Sequence, residues 1–465
     1  MHALWRRIVV TISTLAVALA GARAAEQPAA QRVTIPVEYH KLDNGLKVVL
    51  SRDASSPTAV VGVYYNIGFR IEPKDRTGFA HLFEHMMFQG SQHLGKNAFI
   101  GLVESNGGVL NGSTRFDFTN YYEVVPSHTL ETVLWGEADR MRGLDITQDN
   151  LTNQQGVVKN EVKVNVLNQP YGGFPWIDLP LAANTNWFNA HNFYGDLAHL
   201  DAATLDDVKQ FFKTYYAPNN AALVVSGDID TAQTLKWIRQ YFGGIPSTTR
   251  PPQPDISEPR QEQEKRTSKD DPLATKPALA IGYHAPARLT PEYFAMGLID
   301  QILLQGQDSR LYQAIVQKRG LAGGVSGGIN ADLGNMFDLK GPTLWSFSLI
   351  HDADKPADEI IKLIDEEVTR IQTTPVTKDE LELAFVKRRS RLYAEYESTV
   401  GFGRANLLAS FALFDDDPAI INRLEDEFRK VTPDLIMNTA KDYLRTTNRT
   451  VVTLRPKPAA AGKGL

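Results

Sequence analysis

The chain has 465 residues, 43% hydrophobic and 22% charged, which excludes wholesale disorder and a collagen-like or coiled-coil rod. The 49 basic and 54 acidic residues leave a formal charge of −5, so the chain has no overall electrostatic design for nucleic acid. There is no cysteine, which rules out disulfides, thiolate metal sites, iron–sulfur clusters and a lipid-modified N-terminal Cys.

In chain order, residues 1–24 read first, as a signal peptide. Arg6 and Arg7 precede a 13-residue apolar stretch at 8–20, and Ala22-Arg23-Ala24 supplies a small-residue cleavage site. The stretch is too short for a comfortable membrane span. Cleavage removes three arginines and no acid, taking the charge from −5 to −8. No later run approaches 18 apolar residues, so no membrane span is expected in the mature chain. An exported chain without cysteine suits a bacterial periplasm.

Residues 42–50 pair an Asn44-Gly45 turn with a β-branched run, a hairpin signal. Residues 59–67 read as a buried strand, 78–88 and 98–105 as helices, and 110–125 as strand-rich. Helical spacing returns at 127–141 and 151–166, Thr204 and Asp207 resemble a capping box, and 221–226 is a strand. A Pro-rich, then charged stretch at 247–276 is expected to be a linker. It separates an N-terminal domain, 33–246, from a C-terminal domain, 277–457.

The two halves repeat faintly. Each has an apolar strand (60–65; 279–283) and then a helix ending in Gln89-Gly90 or Gln305-Gly306. Each closes with Tyr and Asn five apart (Tyr215, Asn220; Tyr443, Asn448) before a Val-rich strand. Aligning Gly90 with Gly306 sets Gly297, Asp300 and Gln301 opposite His81, Glu84 and His85, so only the first half keeps that polar trio.

His81-Leu82-Phe83-Glu84-His85 is the sharpest chemical signal. On a helix His81 and His85 are i and i+4, one turn apart on one face, and two such imidazoles can grip one metal ion. Glu84 lies beside the pair, where a carboxylate can take a proton from water. Phe79, Leu82, Phe83, Met86 and Phe88 are suited to bury the helix. Imidazole with carboxylate favours zinc. The same spacing also suits two surface histidines with an intrahelical Glu partner. Two protein ligands are too few for a catalytic zinc site, which usually has three.

The order H-x-x-E-H resembles that of the inverzincin metallopeptidases, the pitrilysin, insulysin and mitochondrial processing peptidase family. In that family the third ligand is a Glu about 76 residues past the second His, which here falls on Glu161. Further segments fit. Leu42-Asp43-Asn44-Gly45-Leu46 resembles the family's opening strand. Residues 107–114 are similar to its G-G-x-x-N-A-x-T segment, with Gly112 replacing Ala. Pro170-Tyr171-Gly172, residues 215–220 and Ser309-Arg310-Leu311-Tyr312 also match.

The resemblance implies an α+β fold of two homologous domains, each an antiparallel-rich sheet with helices on one face. It implies a zinc endopeptidase with one Zn(2+) per chain, held by His81, His85 and Glu161, with Glu84 as the base. An extended peptide would lie along Leu110, Asn111 and Gly112. Two departures stand out. Seven residues before the third ligand the family often has a second Glu, and here it is Gln154. Complete enzymes of the family carry an Arg and, seven residues later, a Tyr around G-L-A in the second half. Aligned on Gly320-Leu321-Ala322, those positions are Val316 and Gly323, and Lys318 and Arg319 are out of register. A second homologous subunit supplying Arg and Tyr is therefore expected. The rival is a non-catalytic structural or peptide-binding subunit. His191 and His199 are expected to be satisfied or surface groups, and Asp415-Asp416-Asp417 a turn.

Overall fold

This computed structural model describes residues 33–251 and 253–457. The expected export segment at 1–24 lies outside them. The hairpin at Asn44-Gly45 joins β1 (Glu38–Lys41) to β2 (Lys47–Arg52), with Gly45 in the left-handed region at φ 86°. β3 (Thr58–Tyr65), β4 (Val109–Thr114), β5 (Thr119–Pro126) and β6 (Ala221–Gly227) complete a first sheet in the order β1-β2-β6-β3-β5-β4. The second sheet takes β7 (Lys265–Asp271), β8 (Ala278–His284), β9 (Ser326–Ile329), β10 (Leu344–Ile350) and β11 (Arg449–Pro456) in the order β7-β11-β8-β10-β9.

Five strands correspond one to one between the sheets. β2 pairs parallel with β6, as β7 does with β11, and every other pair in both sheets is antiparallel. This shared order is the architecture behind the faint sequence repeat. The stretch 247–276 is not a free linker. It contains β7, and Glu258 accepts hydrogen bonds from the amides of Thr185 and Asn186 and from the Asn189 side chain.

Period-two burial explains how the sheets are covered. Val48, Leu50, Val61, Val63, Tyr65, Leu223 and Val225 face the first half's own helices, including α1 (Phe79–Met86), α2 (Ala98–Ser105), α3 (Leu130–Arg142) and α4 (Gln148–Val162). The alternate residues Val49, Val60, Tyr64 and Val224 face the second half. There the long helix Lys378–Asp415 breaks at Ser398–Gly401, and its later part lies on the first sheet. Tyr64 donates to Asn406 Oδ1 at 2.9 Å, and the Tyr122 and Phe402 rings stack at 3.7 Å. In return α5 (Asp178–Ala183) of the first half covers one face of the second sheet. Leu179 there comes so close that a Cβ on Gly282 would meet its side chain at 3.1 Å. Each sheet thus has its own helices on one face and a helix lent by the other half on the opposite face. Among the described residues no helix is long and apolar enough to cross a membrane.

Candidate metal centre

Helix α1 buries Phe79, Leu82, Phe83 and Met86 in the first-half core, and Phe83 stacks on Phe211 at 4.8 Å. That fixes the rotation of the helix and leaves His81, Glu84 and His85 on the side facing α4 and β4. Helix α4 starts at Thr147, whose side chain accepts from the Asn150 amide, and it buries Leu151 and Val158. Glu161, one turn after Val158, then reaches the two imidazoles. Just beyond it the expected helix 151–166 widens into a π-turn at Lys163–Leu167.

The donor atoms form a triangle. His81 Nε2 and His85 Nε2 lie 3.3 Å apart, and Glu161 Oε2 lies 3.3 Å from His85 Nε2 and 3.6 Å from His81 Nε2. Bonds of 2.0–2.1 Å to a tetrahedral zinc put neighbouring donors about 3.3–3.4 Å apart. The three residues therefore fit one face of a zinc tetrahedron, and they are the one His/Asp/Glu group among the described residues that could hold a metal ion.

Electrostatics agree with that use. Burial pushes the pKa of His81 down to about 4, and the neighbouring His85 adds to the effect, so its imidazole is neutral and free to ligate. Burial alone would raise Glu161. Hydrogen bonds from His85 and Tyr194, with the attraction of the imidazoles, hold it below the usual carboxylate range. Burial raises Glu84, although the Thr114 hydroxyl donates to its Oε2 at 2.7 Å. Among the described residues no group bonds His81 Nδ1; the rings of Phe193 and Tyr194, edge-on at 5.1 and 5.2 Å, fix the imidazole instead.

β4 carries Leu110, Asn111 and Gly112 along the edge of the first sheet, paired among the described residues only with β5. Gly112 passes directly under the candidate base. A Cβ there would come within 3.0 Å of Glu84 Cγ. The structure therefore brings His81, Glu84, His85, Glu161 and the 110–112 strand into one place.

Gln154 does not orient Glu161, since its amide bonds Asn153 Oδ1. Tyr194 does, donating to Glu161 Oε1 at 3.0 Å. Sequence reasoning missed Tyr194, which lies 33 residues away with no spacing signal. Thr114, by contrast, stood in the quoted 107–114 segment. His191 is satisfied by the carbonyls of Phe69 and Trp187, and His199 by Thr77.

Opposite this site in the repeat, Gly297, Asp300 and Gln301 line a cavity of about 470 Å³ in the second half. A Cβ on Gly297 would meet Phe428 at 2.9 Å. Asp300 is buried and bonded to Trp345 and Gln305, and Gln301 donates to Asp300. Val316 is partly buried and Gly323 stands open, with no atom within 4 Å of where a Cβ would be.

Residues 47–171 match the family model described as insulinase, peptidase family M16, and residues 202–385 match that of the M16 inactive domain. The chain belongs to the M16 peptidase family. The zinc protease PqqE of Helicobacter pylori is 25% identical over 421 residues, covering 89% of this chain and 92% of the relative. Among solved structures, a protease from Helicobacter pylori superposes with a TM-score of 0.84 at 24% identity, over 91% of this chain and all of that one. The periplasmic protease PqqL of Escherichia coli does so with 0.72 at 18%, over 94% of this chain and 49% of that one. These superpositions carry the fold: two mixed sheets, each flanked by helices.

Proposed function

We propose that this chain is the zinc-bearing subunit of a heteromeric endopeptidase that hydrolyses extended or unstructured peptides in the periplasm. The observation that carries this reading is the donor triangle of His81, His85 and Glu161, with Glu84 beside it and an edge strand running past. A zinc ion held there would supply Lewis acidity, lowering the pKa of a water toward 7 and polarising the scissile carbonyl. Glu84 takes the proton of the attacking water and returns it to the leaving amine. The backbone of Leu110 to Gly112 aligns the peptide by strand addition, which reads main chain more than side chain. The periplasmic address rests on Arg6, Arg7 and Ala22-Arg23-Ala24, and on the compartment named for the Escherichia coli relative.

Val316 and Gly323 offer no side-chain donor for a developing oxyanion, and losing one such donor typically costs about 10²–10³ in rate. A different subunit bearing Arg and Tyr would supply the pair. A homodimer would not, because each copy has the same Val and Gly.

The comparisons lean toward a second reading, a non-catalytic structural or peptide-binding subunit of the same family. Residues 202–385 match a domain described as inactive, and the missing donors agree with it. Three measurements separate the two: zinc content, binding of an unstructured peptide, and its cleavage by this chain alone and with a homologous subunit bearing the Arg/Tyr pair. Peptide binding without cleavage in the mixture, at full zinc occupancy, rejects the endopeptidase and leaves the second reading.

A further inference from the structure

Helix α1 has only eight residues, and its N-cap is Gly78 in the left-handed region at φ 82°, which offers no side chain to the first-turn amides. Short helices of this kind do not hold themselves in water, and their first amides need partners. The partner comes from six residues upstream. Glu72 is fully buried; its Oε2 accepts from the Gly78 amide at 3.0 Å and its Oε1 from the Ala80 amide at 2.5 Å. Ala80 directly precedes His81.

Glu72 is in turn fixed from below. It follows the 3-10 turn Phe69–Ile71, whose central Arg70 is fully buried. Arg70 Nε donates to Asp117 Oδ1 at 2.6 Å, one terminal nitrogen donates to Asn189, and the other to the Pro342 carbonyl at 3.0 Å. Asp117 Oδ2 accepts the amides of Lys340 at 2.7 Å and Gly341 at 3.2 Å. Every link is buried or part-buried, and the last three groups belong to the second half. A buried pair with its hydrogen bonds complete has one geometry, and removing one partner is costly. The loop is also tight: a Cβ on Gly341 would lie 3.0 Å from the Arg70 guanidinium carbon and 2.7 Å from Ile256.

We propose that the second half orients the metal-bearing helix through this strut, from Lys340 and Gly341 through Asp117, Arg70 and Glu72 to the first turn of α1. Arg70, Asp117 and Glu72 are then positioning residues for the site. The proposal rests on the metal-site reading above, and it gives the half that lacks chemistry a duty toward the half that has it.

The test perturbs the far end. Gly341→Ala in the full chain is compared with Trp345→Phe, a second-half substitution away from the strut. Two quantities are read: the zinc dissociation constant by chelator competition, and hydrogen exchange of the α1 first-turn amides. Misorienting metal ligands typically costs about 10–100-fold in affinity. Gly341→Ala is expected to weaken zinc by roughly tenfold or more and to speed α1 exchange, while Trp345→Phe, even at an equal loss of thermal stability, changes neither. Unchanged zinc affinity and exchange in Gly341→Ala overturn the strut, and so does an equal effect from both variants, which would signify general loosening. Should Gly341→Ala not fold, Glu72→Gln, of the same shape but with one acceptor oxygen, is read by the same two measurements. A wild-type chain that binds no zinc would defeat the metal reading, and the exchange comparison would still decide the strut.

Discussion

Glu84→Gln is the substitution that separates ligand from base. The three donor atoms of the triangle belong to His81, His85 and Glu161, and none of them is touched. The glutamine carbonyl keeps the bond that the Thr114 hydroxyl now donates to Glu84 Oε2 at 2.7 Å, so the side chain stays where it is. What disappears is a carboxylate able to accept a proton. Loss of a positioned general base typically costs about 10²–10⁴ in rate, or roughly 3–5 kcal/mol of barrier. The expected result is therefore one zinc per chain, as in wild type, with cleavage reduced by about a thousandfold. His85→Ala and Glu161→Ala each remove a corner of the triangle and should lose zinc as well. The assay pairs elemental analysis of dialysed protein with initial rates on a quenched fluorescent peptide, a homologous subunit bearing the Arg/Tyr pair being added throughout. A Glu84→Gln protein that holds zinc and cleaves within tenfold of wild type would refute the assigned base.

Three other outcomes are expected. Tyr194→Phe frees Glu161 Oε1 and should weaken zinc by about tenfold while leaving the rate at saturating zinc nearly intact, as chelator titration would reveal. Burial raises the Glu72 pKa from 4.5 to about 8, against the pull of the amides it accepts, and His191, the imidazole 3.9 Å away, is itself held neutral by burial. The folded chain then keeps a proton that the unfolded chain sheds, so this contribution is complete below about pH 4.5 and is lost as pH rises through about 8. Melting temperatures between pH 5 and 9 should fall along that course, and Glu72→Gln should flatten it. Trp345→Phe removes the 2.8 Å bond from the indole to buried Asp300 and should cost about 1–3 kcal/mol in urea unfolding.

How much of this was legible in the sequence depended on the range of each interaction. His81, Glu84 and His85 lie within two turns of one helix, so spacing alone put them on one face. Glu161 lies 76 residues further on and was reached only through the family resemblance. The repeat was visible because both halves restart with an apolar strand, and the matching strand orders account for it. β7 was hidden inside a stretch expected to be a linker. It is an edge strand with most side chains in solvent, and such a strand has no need of alternating apolar residues. The helices at 98–105 and after Thr204 were read correctly, because an apolar face or a capping box is local. The cover on the back of each sheet was invisible for the opposite reason. Val49, Val60 and Val224 announce a second buried face but do not say which helix covers it, and the helix that does breaks at Ser398–Gly401 on its way there.

That exchange of cover binds the second half to the first. At the positions opposite the candidate metal site, Phe428 and Met336 crowd Gly297, and Asp300 is bonded to Trp345 and Gln305. Among the described residues no His/Asp/Glu group like that of the first half is gathered there. Yet removing this half would uncover Val49, Val60, Tyr64 and Val224, whose burial stabilises the first sheet by about 1.5–3 kcal/mol for each large side chain. It would also leave Arg70 and Asp117 without their partners at Lys340, Gly341 and Pro342. The second half is therefore tied to the candidate site through apolar cover on one sheet face and through polar bonds that end one residue short of His81.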